Sequence, residues 1–105
     1  MARTLLNVPV GKRGDVVEIR ALIAHPMETG FRAGADGQTV PRDILRTFSC
    51  RFNGEEVFSA ELYPAVSANP YFTFNLLASE SGTLEFTWQG DNGFNQTERV
   101  PFTVA

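Results

Sequence analysis

The sequence predicts an all-β domain, and three observations carry that prediction. Apolar and polar residues alternate with a period of two along most of the chain. Turn dipeptides such as Asn53-Gly54 separate the alternating runs, and no 3.6-residue periodicity competes with them. Seven short runs in about 100 residues, with Phe and Trp on the inward phase, argue for an immunoglobulin-like β-sandwich of about seven antiparallel strands. A small closed barrel is the alternative. The Cys…Trp…Cys spacing of antibody domains is absent, so only the architecture is predicted.

The first strand, around Arg3 to Val8, is short and poorly patterned. From Asp15 the odd positions Val17, Ile19, Ala21 and Ile23 are apolar while Glu18 and Arg20 take even ones, which describes a half-buried strand ending at His25-Pro26. Residues 26 to 42 contain Pro26, Gly30, Gly34, Gly37 and Pro41 with little periodicity, a loop of unusual length for so small a domain. Ile44 to Phe52 places Ile44, Phe48, Cys50 and Phe52 on one face. Asn53-Gly54 then supplies the two positive-φ residues of a type I′ turn, and Glu55 to Leu62 returns with Phe58, Ala60 and Leu62 inward. A second irregular connection, Tyr63 to Pro70, leads into a strand lined by Phe72, Phe74 and Leu76 and broken at Ser81-Gly82. Leu84, Phe86 and Trp88 point inward from the next strand. Asp91-Asn92-Gly93 turns the chain into a last one carrying Val100, Phe102 and Val104, where Pro101 cannot donate to a ladder and predicts an edge or a bulge.

At 105 residues the chain holds one domain, spanning residues 1–105, and one core. Its net charge of −3 provides no electrostatic footprint for a phosphate backbone, so nucleic acid is not an expected partner. The basic pairs Lys12-Arg13 and Arg42 with Arg46 are diluted by Asp15 and Asp43 and read as solvated surface. No apolar run approaches the roughly 20 residues of a membrane span, and Met1 to Val10 has no long apolar core with a small-residue cleavage site. Neither a membrane segment nor an export signal of its own is therefore expected. The single cysteine, Cys50, cannot form an internal disulfide.

Catalysis finds little support. His25 is the only histidine, and its obvious nucleophilic candidate, Cys50, is in phase with Phe48 and Phe52, where a buried thiol is a poor nucleophile. His25, Glu28 and Cys50 match no common metal spacing, so no metal and no cofactor is expected. Glu55 and Glu56 lie on opposite faces of one strand and form no acid–base couple. Gly30, Gly34 and Gly37 precede no helix and read as loop conformers rather than a phosphate cradle. Binding remains: Phe31, Tyr63, Tyr71 and Phe94 sit in loops or on outward phases, where a partner would cover them.

Two segments sharpen this. VEIRALIAHPMETG, from Val17 to Gly30, and PAVSANPYFTF, from Pro64 to Phe74, resemble the SoxZ family, the Z subunits of SoxYZ sulfur-carrier complexes; Thr39-Val40-Pro41 and Phe52-Asn53-Gly54 fit as well. The resemblance implies an immunoglobulin-like, non-catalytic subunit paired with a SoxY-like subunit, whose flexible C-terminal arm ends in a Gly-rich motif with a sulfur-carrying cysteine. It implies transient contacts with cytochrome, thiosulfohydrolase and sulfur dehydrogenase components of the same thiosulfate-oxidising system. It also implies periplasmic residence by export with the Y subunit. By the same analogy His25, Pro26, Met27, Glu28, Thr29, Gly30 and Phe31, with Tyr63, Ser67, Asn69, Pro70 and Tyr71, are expected to form the partner-binding surface. An independent periplasmic or extracellular module binding protein or carbohydrate is the alternative, and an enzyme built on His25 and Cys50 comes third.

Overall fold

A computed structural model describes residues Met1 to Ala105 as two antiparallel sheets packed face to face. The strands are β1 (Thr4–Asn7), β2 (Val16–Ile23), β3 (Leu45–Phe52), β4 (Glu55–Glu61), β5 (Tyr71–Leu77), β6 (Gly82–Gly90) and β7 (Asn95–Phe102), with a 3₁₀ turn at Asp91–Gly93. One sheet has the order β1-β2-β5 and the other β4-β3-β6-β7. The seven-strand sandwich expected from the alternation is the fold observed, and the chain crosses between sheets three times, at its two long connections and at the short turn between Leu77 and Gly82.

Alternation decides which side chains enter the core. Ile19, Ala21 and Ile23 of β2, Phe74 and Leu76 of β5, Phe48 and Cys50 of β3, and Leu84, Phe86 and Trp88 of β6 are all buried. Phe48 is the hub: its ring stacks on Phe72 of the opposite sheet at 4.7 Å and meets Trp88 at 5.2 Å, while Phe58 stacks on Phe74 at 4.6 Å. These cross-sheet pairs close the sandwich along β4 and β5, each aromatic pair adding about 0.5–1.5 kcal/mol beyond burial. The opposite edge is closed by polar groups. Gln96 of β7, buried, donates through Nε2 to the Ala2 carbonyl at 2.9 Å and accepts the Ala2 N–H at 3.0 Å, and Thr4 donates to Glu98. The only buried side-chain polar atom without a partner is Nε1 of Trp88.

Two features depart from simple alternation. On β3 the register slips between Leu45 and Thr47, so Leu45 faces Gly90 and Arg46 has no partner residue opposite. Strict alternation would put Arg46 in phase with buried Ile44 and Phe48; the bulge turns it outward and buries Leu45 instead. A second slip at Cys50/Arg51 leaves Val57 of β4 as the extra residue. The Asn53-Gly54 turn has φ of 49° and 86°, as a type I′ hairpin requires. Pro101 lies on β7, an edge strand, as its missing donor demands.

Residues 26–42 are not the patternless loop expected from their sequence. Glu28 and Asp43 exchange backbone hydrogen bonds at 2.8 Å in both directions, and Val40 N–H donates to the Arg32 carbonyl at 2.8 Å. Gly34 N–H donates to Gln38 at 2.6 Å, and Ala33 pairs with Thr39. Too few side chains are apolar to show a period, yet the backbone pairs with itself to form a hairpin-like arm. That arm extends from one end of the sandwich, and the molecule measures 56 × 20 × 20 Å.

Candidate functional site

The two segments singled out in the sequence, His25 to Phe31 and Tyr63 to Tyr71, meet at the end of the sandwich from which the arm extends. After β2 the ladder continues irregularly, with Ile23 N–H donating to the Pro70 carbonyl at 3.3 Å. His25 and Asn69 then clasp reciprocally: His25 N–H donates to Asn69 Oδ1 at 3.0 Å, and Asn69 N–H donates to the His25 carbonyl at 2.8 Å. Asn69 holds φ of 54°, a left-handed conformation that asparagine tolerates because its short amide bonds locally.

His25 itself is buried. Its Nδ1 accepts the Met27 N–H at 3.0 Å, so the ring proton is on Nε2, which lies 3.8 Å from Asp43 Oδ1. The ring edge meets Phe94 at 5.4 Å. Burial lowers the imidazole pKa below its ordinary 6.5, against a smaller opposing pull from Asp43 and Asp91. Met27 is also buried, at φ of 51°, with its sulfur accepting the Leu45 N–H at 3.3 Å. The His-Pro-Met turn therefore acts as an internal lock that satisfies the bulged start of β3. Of the residues expected to form a partner-binding surface, His25, Met27 and Pro70 are buried, and Phe94 packs half-buried against His25. The members open to a partner are Pro26, Phe31, Tyr63, Ser67, Asn69 and Tyr71, with Glu28, Thr29 and Gly30 half-buried.

Asp91 ties this end together. Its carboxylate accepts from Arg42 Nε and Nη2 at 2.8 and 2.9 Å and from the Ile44 N–H at 3.2 Å, with Arg46 Nε 3.6 Å away. The Arg42 guanidinium holds the carboxyl below its usual range. Arg42 is thus paired rather than simply solvated, while Asp91, expected only as a turn former, proves to be the organising residue; no local pattern relates it to a partner 49 residues away. On the arm, Arg32 grips Glu28 at 2.6 Å and lowers its pKa. Arg42, Ile44, Arg46 and Thr47 face Glu61 to Pro64 across an open cleft of about 340 Å³, where the Tyr63 hydroxyl donates to Glu61 at 2.6 Å.

His25 and Cys50, the one histidine and the one cysteine, lie apart in the fold. Cys50 is fully buried five residues beyond Leu45, on the order of 15 Å from the His25 end at a strand's rise per residue. Burial pushes its thiol up to about 12. Histidine and thiol are therefore not brought together as a nucleophile and base. No group of three or more His, Cys, Asp or Glu side chains converges in a way that could hold a metal ion.

A family model described as "Sulphur oxidation protein SoxZ" matches residues 8–101. No curated protein matches the sequence. Among solved structures, the superoxide reductase (neelaredoxin) of Ignicoccus hospitalis superimposes with a TM-score of 0.73 at 18% identity, covering 99% of this chain and 82% of its own. Two variants of that protein align similarly, with TM-scores of 0.72 and 0.73 at 18% identity, covering 97% and 99% of this chain and 79% and 81% of theirs. At that identity the likeness shows a shared sandwich and nothing about the site.

Proposed function

Because the chain belongs to the SoxZ family, and with it to the Sox system of sulfur oxidation, we propose that it is the non-catalytic subunit of a SoxYZ sulfur-carrier heterodimer. In this reading it stabilises the Y subunit and helps present that subunit's cysteine-bearing C-terminal arm to the cytochrome, thiosulfohydrolase and sulfur dehydrogenase components, in the periplasm. The family match over residues 8–101 carries the reading. The environment of Cys50 supports it from the other side. A sulfur carrier needs a thiolate that can reach its enzymes, and a fully buried thiol with a pKa near 12 is neither ionised nor reachable. The carrier cysteine then belongs to a partner.

The exposed residues of the two connections, Pro26, Phe31, Tyr63, Ser67, Asn69 and Tyr71, with half-buried Glu28, Thr29 and Gly30, are the proposed docking surface at this end. Phe31 and Tyr71 are large exposed aromatics on a hydrogen-bonded scaffold, the type of anchor that concentrates binding energy. The test is native mass spectrometry of the chain co-expressed with a Y-type subunit, before and after reductant. A 1:1 heterodimer that survives reductant supports the reading. A lone stable monomer would favour an independent module binding protein or carbohydrate.

A further inference from the structure

The two outer faces of the sandwich differ in chemistry. On the four-stranded sheet, Ser59, Ser49, Thr87 and Thr97 are paired in register and form one polar row across all four strands. On the three-stranded sheet the register places Leu5, Leu22 and Tyr71 side by side across β1, β2 and β5, and Val16 beside Leu77 at the other end. Leu5 is 69% exposed, Val16 66%, Leu77 54% and Tyr71 52%. Between the rows lie Arg20, opposite Asn7 and Thr73, and Glu18, opposite Asn75.

A sheet with one face in water keeps that face polar. Here β2 buries its odd positions in the core and also carries Val16 and Leu22 on the even phase, so both of its faces are apolar at both ends. Several large apolar side chains gathered on one sheet exceed the scattered exposure of an ordinary surface and mark a face that another surface covers.

We infer that the outer face of the β1-β2-β5 sheet is where the Y subunit docks, sheet against sheet. This rests on the heterodimer reading above, which supplies the partner, and it extends the docking surface well beyond the end of the sandwich. The seven residues from Val16 to Leu22 span ~20 Å, and strands about 4.8 Å apart, three at the Leu22 end and two at the Val16 end, make a patch of the kind that one sheet offers another in a sandwich. A bound sugar would need a single aromatic ringed by polar groups, and an extended peptide arm would cover one row. Two apolar rows at opposite ends of the face require a broad, rigid counterpart. Its chemistry follows: apolar residues at both ends and an acceptor in the middle for Arg20, whose half-exposed guanidinium bonds only through Nε, to Glu18 at 2.7 Å. A hollow of about 140 Å³ between Leu5, Leu22, Tyr71 and Arg20 has the size of one side chain and fits an apolar anchor from the partner. Tyr71 joins this face to the Tyr63 to Tyr71 connection, so the two surfaces are continuous.

The test is the dissociation constant for a purified Y-type subunit, measured by titration calorimetry on the full chain. The variants are Leu5→Asp and Leu77→Asp, with Gln89→Lys on the opposite face as control. All three side chains are exposed, and circular dichroism verifies that each variant keeps its fold. Expected is a loss of about tenfold or more for Leu5→Asp and for Leu77→Asp, with Gln89→Lys within about twofold of wild type. Wild-type affinity in both aspartate variants overturns the face while leaving the heterodimer standing. A wild-type chain that does not bind the Y subunit at all overturns both. Self-association of the lone chain that Leu5→Asp abolishes, with affinity for the Y subunit unchanged, reassigns the face to a second copy and also overturns it.

Discussion

At the scale of single residues, His25 couples the clasp at the arm's base to proton concentration. Its Nδ1 is an acceptor for the Met27 N–H, so a proton added there replaces a hydrogen bond with a donor facing a donor. Burial lowers the folded pKa below 6.5, the value the unfolded chain keeps. As pH falls through 6.5 the unfolded state takes up a proton before the folded state does, so stability declines from there down to the depressed folded value and is unaffected above it. The carboxylates Glu28 and Asp91, also depressed, contribute stability that is present above their ordinary values of 4.5 and 3.8 and is lost only at lower pH. Urea midpoints should therefore drop between pH 7 and 5 in the wild type and stay nearly level in His25→Gln; an equal drop in both would remove His25 from the account. Cys50 makes a second, independent case. A thiol-reactive probe should label it only when the domain unfolds, and Cys50→Ser, which puts a hydroxyl among Phe48, Phe58 and Phe86, should cost about 1–3 kcal/mol in denaturant melts.

At the scale of elements, the bulge that opens β3 decides how the arm attaches. Because Leu45 and Gly90 face each other there, a Cβ on Gly90 would lie 2.5 Å from the Ile44 carbonyl oxygen and 2.9 Å from Leu45 Cα, both backbone atoms. Gly90→Ala should thus destabilise the domain by about 1–3 kcal/mol in chemical denaturation, as overpacking does, and a neutral result would mean the bulge relaxes freely. The arm's return strand is held from the same place by Asp91, through Arg42 and the Ile44 N–H. Asp91→Asn should speed hydrogen exchange at the Glu28 and Asp43 amides while leaving the β3–β6 ladder protected; uniform exchange across both would show that the arm is held by its own backbone alone. The strands themselves were legible because alternation and turn chemistry are local signals, with Val17 to Ile23 and Asn53-Gly54 the clearest. The bulge was not, since a one-residue slip that turns Arg46 outward depends on Gly90 in another strand. Nor was the arm, whose pairing is carried by backbone groups that leave no pattern in its Gly-rich sequence. The two site segments could be recognised as unusual, but the burial of His25 and Met27 follows from contacts with Asn69, Leu45 and Phe94 that only the fold creates.

At the scale of the whole molecule, the aromatic seam of Phe48, Phe58, Phe72 and Phe74 closes one long edge of the sandwich and the Gln96 clasp closes the other. What stays open are the apolar rows on the three-stranded sheet and the aromatics at the arm's end, so the least satisfied surface of the folded chain is the one a partner would cover. The contrast between the faces was within reach of the sequence, in the even-phase Val16 and Leu22. Its meaning needed the strand order, which brings Leu5 and Tyr71 alongside Leu22 and Leu77 alongside Val16. If a Y subunit binds only the folded form, it stabilises that form by RT ln(1 + [L]/Kd), about 2.7 kcal/mol when free partner is a hundredfold above Kd. For a domain of this size that is a rise in melting temperature of roughly 10–20 °C. The buried thiol supplies a readout specific to this chain: Cys50 becomes reactive only on unfolding, so the mass shift from a thiol label during heating reports this subunit separately from its partner. Labelling temperature should begin to climb once the Y-subunit concentration passes Kd, so in Leu77→Asp the rise should begin only at higher partner concentrations. A labelling temperature indifferent to the partner would mean that the Y subunit does not bind the folded chain, and would remove the shared surface with it.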